Sequence, residues 1–186
     1  MKLIAGVDEV GRGSLIGPVY AAAVILNKSI KKKLLKDSKS LRKNKREFLA
    51  KYIKKNSVWA VGKASVKEIE KMNILQASLL AMKRSIKKLK KKPKLVLIDG
   101  NKIPEIKNYK LKSIIKGDQK IASISAASII AKVSRDKMIT ALGKKIKGYD
   151  WDKNYGYGTK KHLRAIKNLG ITSHHRKTFS PINKIK

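Results

Sequence analysis

Only 12 Asp and Glu stand against 47 Lys and Arg in the 186 residues, so the position of each carboxylate is informative. Asp8 and Glu9 close the apolar run that opens the chain, Asp99 closes Leu95-Val96-Leu97-Ile98, and Asp118 sits in a Gly-Asp turn ahead of a stretch rich in Ala and Ser. Carboxylates at strand ends can converge at one side of a sheet. Adjacent residues of a strand point to opposite faces, so Asp8 and Glu9 are unsuited to flanking one glycosidic bond together. If the acidic positions meet, their mutual repulsion raises their pKa values unless a cation intervenes. An all-oxygen donor set suits Mg²⁺ or Mn²⁺ better than Zn²⁺, and two such ions about 3.5–4 Å apart activate a water and stabilise the leaving oxygen of a phosphodiester. The same residues also fit plain turn and capping duties, and composition leaves both readings open.

Three further features bear on chemistry. Gly11-Arg12-Gly13 has neither Walker-loop spacing nor the GxGxxG fingerprint. It is either an ordinary tight turn or a place where two glycines let backbone N–H groups approach a sugar or phosphate, with Arg12 adding charge. Tyr157, within Asn154-Tyr155-Gly156-Tyr157-Gly158-Thr159, is either a packed ring or one that stacks on a base or sugar. His162, His174 and His175 match no metal spacing and are read as phosphate-contacting or structural.

The elements that must position these residues follow from periodicity. Leu3 to Val7 and Val19 to Leu26 read as paired strands, and Ser40 is a candidate cap for a helix from Leu41 to about Lys55. Val58 to Ala64 is a third strand. Ser65-Val66-Lys67-Glu68 fits a capping box, followed by a helix whose stripe is Leu75, Leu79, Met82, Ile86 and Leu89. Pro93 ends that helix. Leu95 to Ile98 reads as a strand buried on both faces, Leu111 to Ile115 as a fifth strand, and Gln119 to about Lys145 as one long helix. A last helix spans Lys160 to Leu169 and closes at Gly170, after which no periodicity is visible. The expectation is one α/β domain over residues 1–186, a mixed five-stranded sheet flanked by helices.

The formal charge of +35 points to a polyanionic partner, although 40 Lys to only 7 Arg also fits compositional drift. Zero Cys excludes a disulfide scaffold, thiolate zinc sites and a cysteine nucleophile. The first apolar run meets Asp8-Glu9 too soon for a signal peptide, and nothing approaches the roughly 18 apolar residues of a membrane span. The expected protein has no membrane association and is cytoplasmic.

Read in order, these segments resemble the bacterial type of the ribonuclease HII family over nearly the whole chain. The resemblance is carried by Gly6-Val7-Asp8-Glu9-Val10-Gly11-Arg12-Gly13, Gly17-Pro18-Val19, Asp37-Ser38-Lys39, Ile98-Asp99-Gly100 and Lys116-Gly117-Asp118. It continues through Ser125 to Asp136, Gly156-Tyr157-Gly158-Thr159 with His162, and His175-Arg176 with Phe179 and Pro181. The resemblance implies a ribonuclease H-like fold and metal-dependent hydrolysis of RNA paired with DNA, with cleavage on the 5′ side of single ribonucleotides embedded in duplex DNA. It places the acidic set at Asp8, Glu9, Asp99 and Asp118, holding two Mg²⁺ or Mn²⁺ ions. It puts substrate contacts at Gly11, Arg12, Gly13, Ser38, Lys39 and Tyr157. The glycine-arginine-glycine turn would read the 2′-hydroxyl largely through backbone atoms, and Tyr157 would pack on the neighbouring sugar. The segment from about residue 150 would complete the substrate groove of a monomer whose partner is an RNA/DNA hybrid or ribonucleotide-containing duplex DNA. The competing reading is a non-catalytic basic RNA-binding protein such as a ribosomal component. It explains the charge but not the carboxylates at strand ends.

Overall fold

The computed structural model describes residues 3–27, 29–30, 35 and 42–185. Strands β1 (Ile4–Val10) and β2 (Val19–Leu26) pair antiparallel, with Val7 opposite Ala23. β2 is apolar on both faces: Ala21, Ala23 and Ile25 join one core cluster, while Ala22 and Val24 join another. It therefore lies inside the sheet, next to β3 (Ser57–Ala64). On the other side of β1, β4 (Leu95–Asp99) and then β5 (Leu111–Ile114) run parallel to it, so the order is β3-β2-β1-β4-β5. The mixed five-stranded sheet is the expected one. β4 departs from expectation in being fully buried only at Val96 and Ile98, on one face, while Leu95 and Leu97 on the other are half-buried.

Helices cover both faces. α1 (Lys43–Asn56) starts after Arg42 without a side-chain cap, and the proposed cap Ser40, like Asp37-Ser38-Lys39 and Leu41, lies outside the described residues. α2 (Val66–Lys87) opens on the expected capping box between Ser65 and Glu68. It is not one continuous helix. Asn73 takes a positive φ of 70°, and its side-chain oxygen accepts from the N–H groups of Leu75 and Gln76, so the chain recaps itself there. The long helix expected from Gln119 is also split, into α3 (Gly117–Lys120) and α4 (Ala122–Lys145), by extended backbone at Ile121. Asp118 thus belongs to the first turn of α3 rather than to a free turn.

The segment after α4 holds α5 (Trp151–Asn154), which periodicity did not reveal, the expected α6 (Lys160–Leu169) and a final 3₁₀ turn at Ile182–Lys184. Their apolar residues form a third cluster with Leu15 and Ile16 from the loop between β1 and β2. No described helix is long and apolar enough to cross a membrane.

One close approach sets the spacing of the layers. A Cβ at Gly6 would sit 2.2 Å from the Ser123 backbone, so only glycine lets the start of α4 lie directly on β1. At Gly13, by contrast, a Cβ would meet nothing within 4 Å. Gly6→Ala is therefore expected to cost about 3 kcal/mol, and Gly13→Ala to stay within about 0.5 kcal/mol, in urea unfolding followed by circular dichroism.

Candidate active site

β1 and β4 are parallel and adjacent, with Val7 beside Ile98. One residue further along each strand stand Asp8 and Asp99, on the sheet face opposite to the buried Val7 and Ile98. Strand alternation turns Glu9 to the other face, but at a strand end it still reaches the same opening. Asp8, Glu9 and Asp99 border one cavity of about 290 Å³ together with Arg46, Ser128 and Lys132. Glu9 and Asp99 also border a second cavity of about 390 Å³ that continues past Arg12, Gly100 and Lys102. The two openings make a groove across the end of the sheet.

Asp8 is only 6% exposed. Its Oδ1 accepts from the Glu9 N–H at 2.7 Å, and the Ser128 hydroxyl also donates to it. Burial, then repulsion from Glu9, raises its pKa well above the ordinary carboxylate value, with Asp99 adding to the effect. Burial likewise raises Glu9, against the opposing pull of Arg12, whose Nη1 lies 3.4 Å from Glu9 Oε1. Asp99 is oriented by the Gly117 N–H, which donates to its Oδ1 at 2.7 Å. Asp118 follows that glycine immediately but is 2% exposed and does not line the cavity shared by the other three. Among the described residues, no three acidic or imidazole side chains are gathered closely enough to hold one ion as they stand. The donors are nevertheless all oxygen, and the burial, with added repulsion, that raises Asp8 and Glu9 is a penalty on their ionised forms that a divalent cation would offset.

The turn after β1 is built by two arginines that sequence reading left without a role. Arg135 and Arg176 are fully buried. Arg135 donates to the carbonyls of Ile16, Pro18 and Tyr155, and Arg176 to those of Gly17 and Arg12. Gly11, at φ 92°, packs on the Arg135 side chain with no room for a Cβ. The Leu15 N–H donates to the Gly156 carbonyl at 2.8 Å, and Ser14 Oγ to the same oxygen at 3.0 Å. The turn is thereby locked to the loop that carries Tyr157. The half-buried Tyr157 ring lies against α4, with Lys132 Nζ 5.7 Å and the Arg135 guanidinium carbon 5.7 Å from its centroid. Lys132 thus touches both the carboxylate cavity and the tyrosine.

His162 and His175 are structural. His162 is buried and bonded at both ring nitrogens, to Trp151 Nε1–H and to the Tyr157 carbonyl, which fixes the tyrosine loop from behind. Burial first, then the neighbouring His162, lowers His175 to about 4, so both rings are neutral at pH 7. The proposed contacts Ser38 and Lys39 lie outside the described residues. The one sequence signal for the buried arginines is that they are arginines at all in a chain with 40 Lys and only 7 Arg.

The model of the family described as Ribonuclease HII matches residues 5–182. The chain belongs to the ribonuclease HII family. It is 76% identical over 183 residues to the Ribonuclease HII of Pelagibacter ubique, covering 98% of each chain. It is 48% identical to that of Roseobacter denitrificans, over 98% of this chain and 92% of the relative. Among solved structures it resembles the ribonuclease H2 of Pyrococcus horikoshii, with a TM-score of 0.79 and 27% identity over 97% of this chain and 95% of the other. The fold is ribonuclease H-like, and the protein is a ribonuclease H, a hydrolase acting on RNA/DNA. Membership in this family excludes the reading as a non-catalytic RNA-binding protein.

The raised pKa of Asp8 means that its ionised form opposes folding. Its contribution to stability is favourable at low pH and is lost as pH rises through the folded-state value. In chelator, Asp8→Asn is expected to be more stable than the parent by about 1 kcal/mol at pH 7. Thermal unfolding should show the gap closing below about pH 4, where the unfolded carboxyl is protonated as well.

Proposed function

We propose that this ribonuclease HII family member cuts on the 5′ side of a lone ribonucleotide in duplex DNA, as well as within RNA/DNA hybrids, leaving a 3′-hydroxyl and a 5′-phosphate. The observation that carries the reading is the groove across the sheet end, where Asp8, Glu9 and Asp99 open beside a glycine turn bonded to the tyrosine loop. Asp8, Glu9, Asp99 and Asp118 would hold two divalent ions, Mg²⁺ or Mn²⁺, which when bound supply an activated water and neutralise charge on the phosphodiester. Ser128 keeps the Asp8 carboxylate turned to the groove, and the Gly117 amide does the same for Asp99. Arg46 and Lys132, at the cavity edge, offer positive charge to the phosphates flanking the scissile one.

The choice of sugar falls to the turn. Gly13 has no left-handed φ and no neighbour within reach of a Cβ, so packing gives no reason for a glycine there. Close passage of a ligand along the backbone does. Contacts from Gly11, Arg12 and Gly13 to a 2′-hydroxyl would be left unsatisfied by deoxyribose, which is how a polar site rejects an analogue lacking the group. Tyr157 would pack on the adjacent deoxyribose, and Ser38 and Lys39 would contact the same duplex. In this reading residues 1–186 act as one cytoplasmic, monomeric catalytic unit, with the segment from about 150 forming the wall of the groove.

Asp99→Asn keeps an oxygen for the Gly117 amide but removes the charge. On a duplex with one ribonucleotide it should lower the cleavage rate by at least about two orders of magnitude, with gel-shift affinity nearly unchanged. Tyr157→Ala should lower cleavage at the single ribonucleotide far more than it weakens duplex binding. Near-normal cleavage by Asp99→Asn, equal cutting of all-DNA duplex, or retained activity in chelator would overturn the proposal.

A further inference from the structure

The carbonyls of Arg12 and Gly17 point inward. Arg176 Nη1 donates to the Arg12 carbonyl at 2.9 Å, and Nε donates to the Gly17 carbonyl at 2.9 Å. A trans peptide sets its C=O and the following N–H in opposite directions. Drawing the Arg12 oxygen into the protein therefore turns the Gly13 N–H out of it, where the missing Cβ leaves open space. Among the described residues that N–H has no hydrogen-bond partner, in a loop whose other amides at Leu15 and Gly17 are engaged with Gly156 and His174.

Arg176 spends its described hydrogen bonds on this loop alone. It is completely buried, its guanidinium carbon lies 5.0 Å from the Phe179 ring centroid, and no carboxylate pairs with it among the described residues. Burial, with Arg135 nearby as a second cation, lowers its pKa to about 9, so it remains charged at neutral pH. A buried charge held by carbonyls alone is costly unless its hydrogen bonds are well made. It also polarises the peptide that it binds, because a chain of hydrogen bonds strengthens its members.

We propose that Arg176 is a positioning residue for sugar selection: by holding the Arg12 carbonyl inward it aims and strengthens the Gly13 N–H as a donor to an oxygen of the ribonucleotide. The inference rests on the reading of the Gly11–Gly13 turn given above, and adds to it the group that fixes the turn. Lysine cannot replace Arg176, since an ammonium lacks the planar fork that spans two carbonyls.

The test compares the dissociation constants of a duplex containing one ribonucleotide and of the same all-DNA duplex, measured in chelator so that no cleavage occurs. Arg176→Lys should reduce the preference for the ribonucleotide duplex about tenfold, leave all-DNA binding within about twofold, and raise KM more than it lowers kcat in Mg²⁺. Ile166→Ala loosens the same core cluster without bonding to the turn, and should lower stability while keeping the preference. Gly13→Pro, which deletes the N–H at an exposed position, should lose the preference as Arg176→Lys does, and the two losses should not add. It decides the matter even if Arg176→Lys fails to fold. A preference that survives in Gly13→Pro or in folded Arg176→Lys, or one that falls equally in Ile166→Ala, overturns the proposal. A parent with no preference, yet cutting only at ribonucleotides, also overturns it while leaving the proposed cleavage intact.

Discussion

The contact of α4 with β1 governs the rest of the molecule. Because Gly6 has no side chain, the helix begins directly on the strand, and its direction from there is fixed by packing on Ala22 and Val24 of β2. Ser128, Lys132 and Arg135 follow at spacings of four and three, so they share one helical face. That face meets, in order, the Asp8 carboxylate, the cavity beside Tyr155 and Tyr157, and the carbonyls of the loop after β1. A shift in the height of the helix would move all three together.

The break at Ile121 serves the same geometry. A continuous helix would carry Gly117 and Asp118 away along the axis of α4. The single turn of α3 instead places the Gly117 N–H on Asp99 and leaves Asp118 directly behind it. The Asp8 and Asp99 carboxylates thus each accept from a backbone N–H, that of Glu9 and that of Gly117.

The five strands and two of the helix ends were legible because they depend on local patterns: the continuous apolar run of β2, the capping box at Ser65 and Glu68, the glycine at the end of α6. Asp8, Glu9 and Asp99 were legible because acids are scarce and stand at strand ends. What remained hidden depends on tertiary contacts. The recapping at Asn73 and the break at Ile121 interrupt sequences with good helical periodicity, and α5 is too short to show one. The roles of Arg135 and Arg176 were invisible because the carbonyls that they hold together lie far away in the chain, which no spacing rule encodes.

Arginine and lysine divide this molecule unequally. With 40 Lys and 7 Arg, the chain places lysine almost wherever a solvated positive charge suffices. Arg84 grips both oxygens of Glu68 and the Lys63 carbonyl, while Arg135 and Arg176 each span carbonyls of the loop after β1. Such multiple grips need a rigid, planar donor. Exchange of arginine for lysine can therefore run far across the exterior away from the groove, and it meets a geometric barrier at a handful of interior joints.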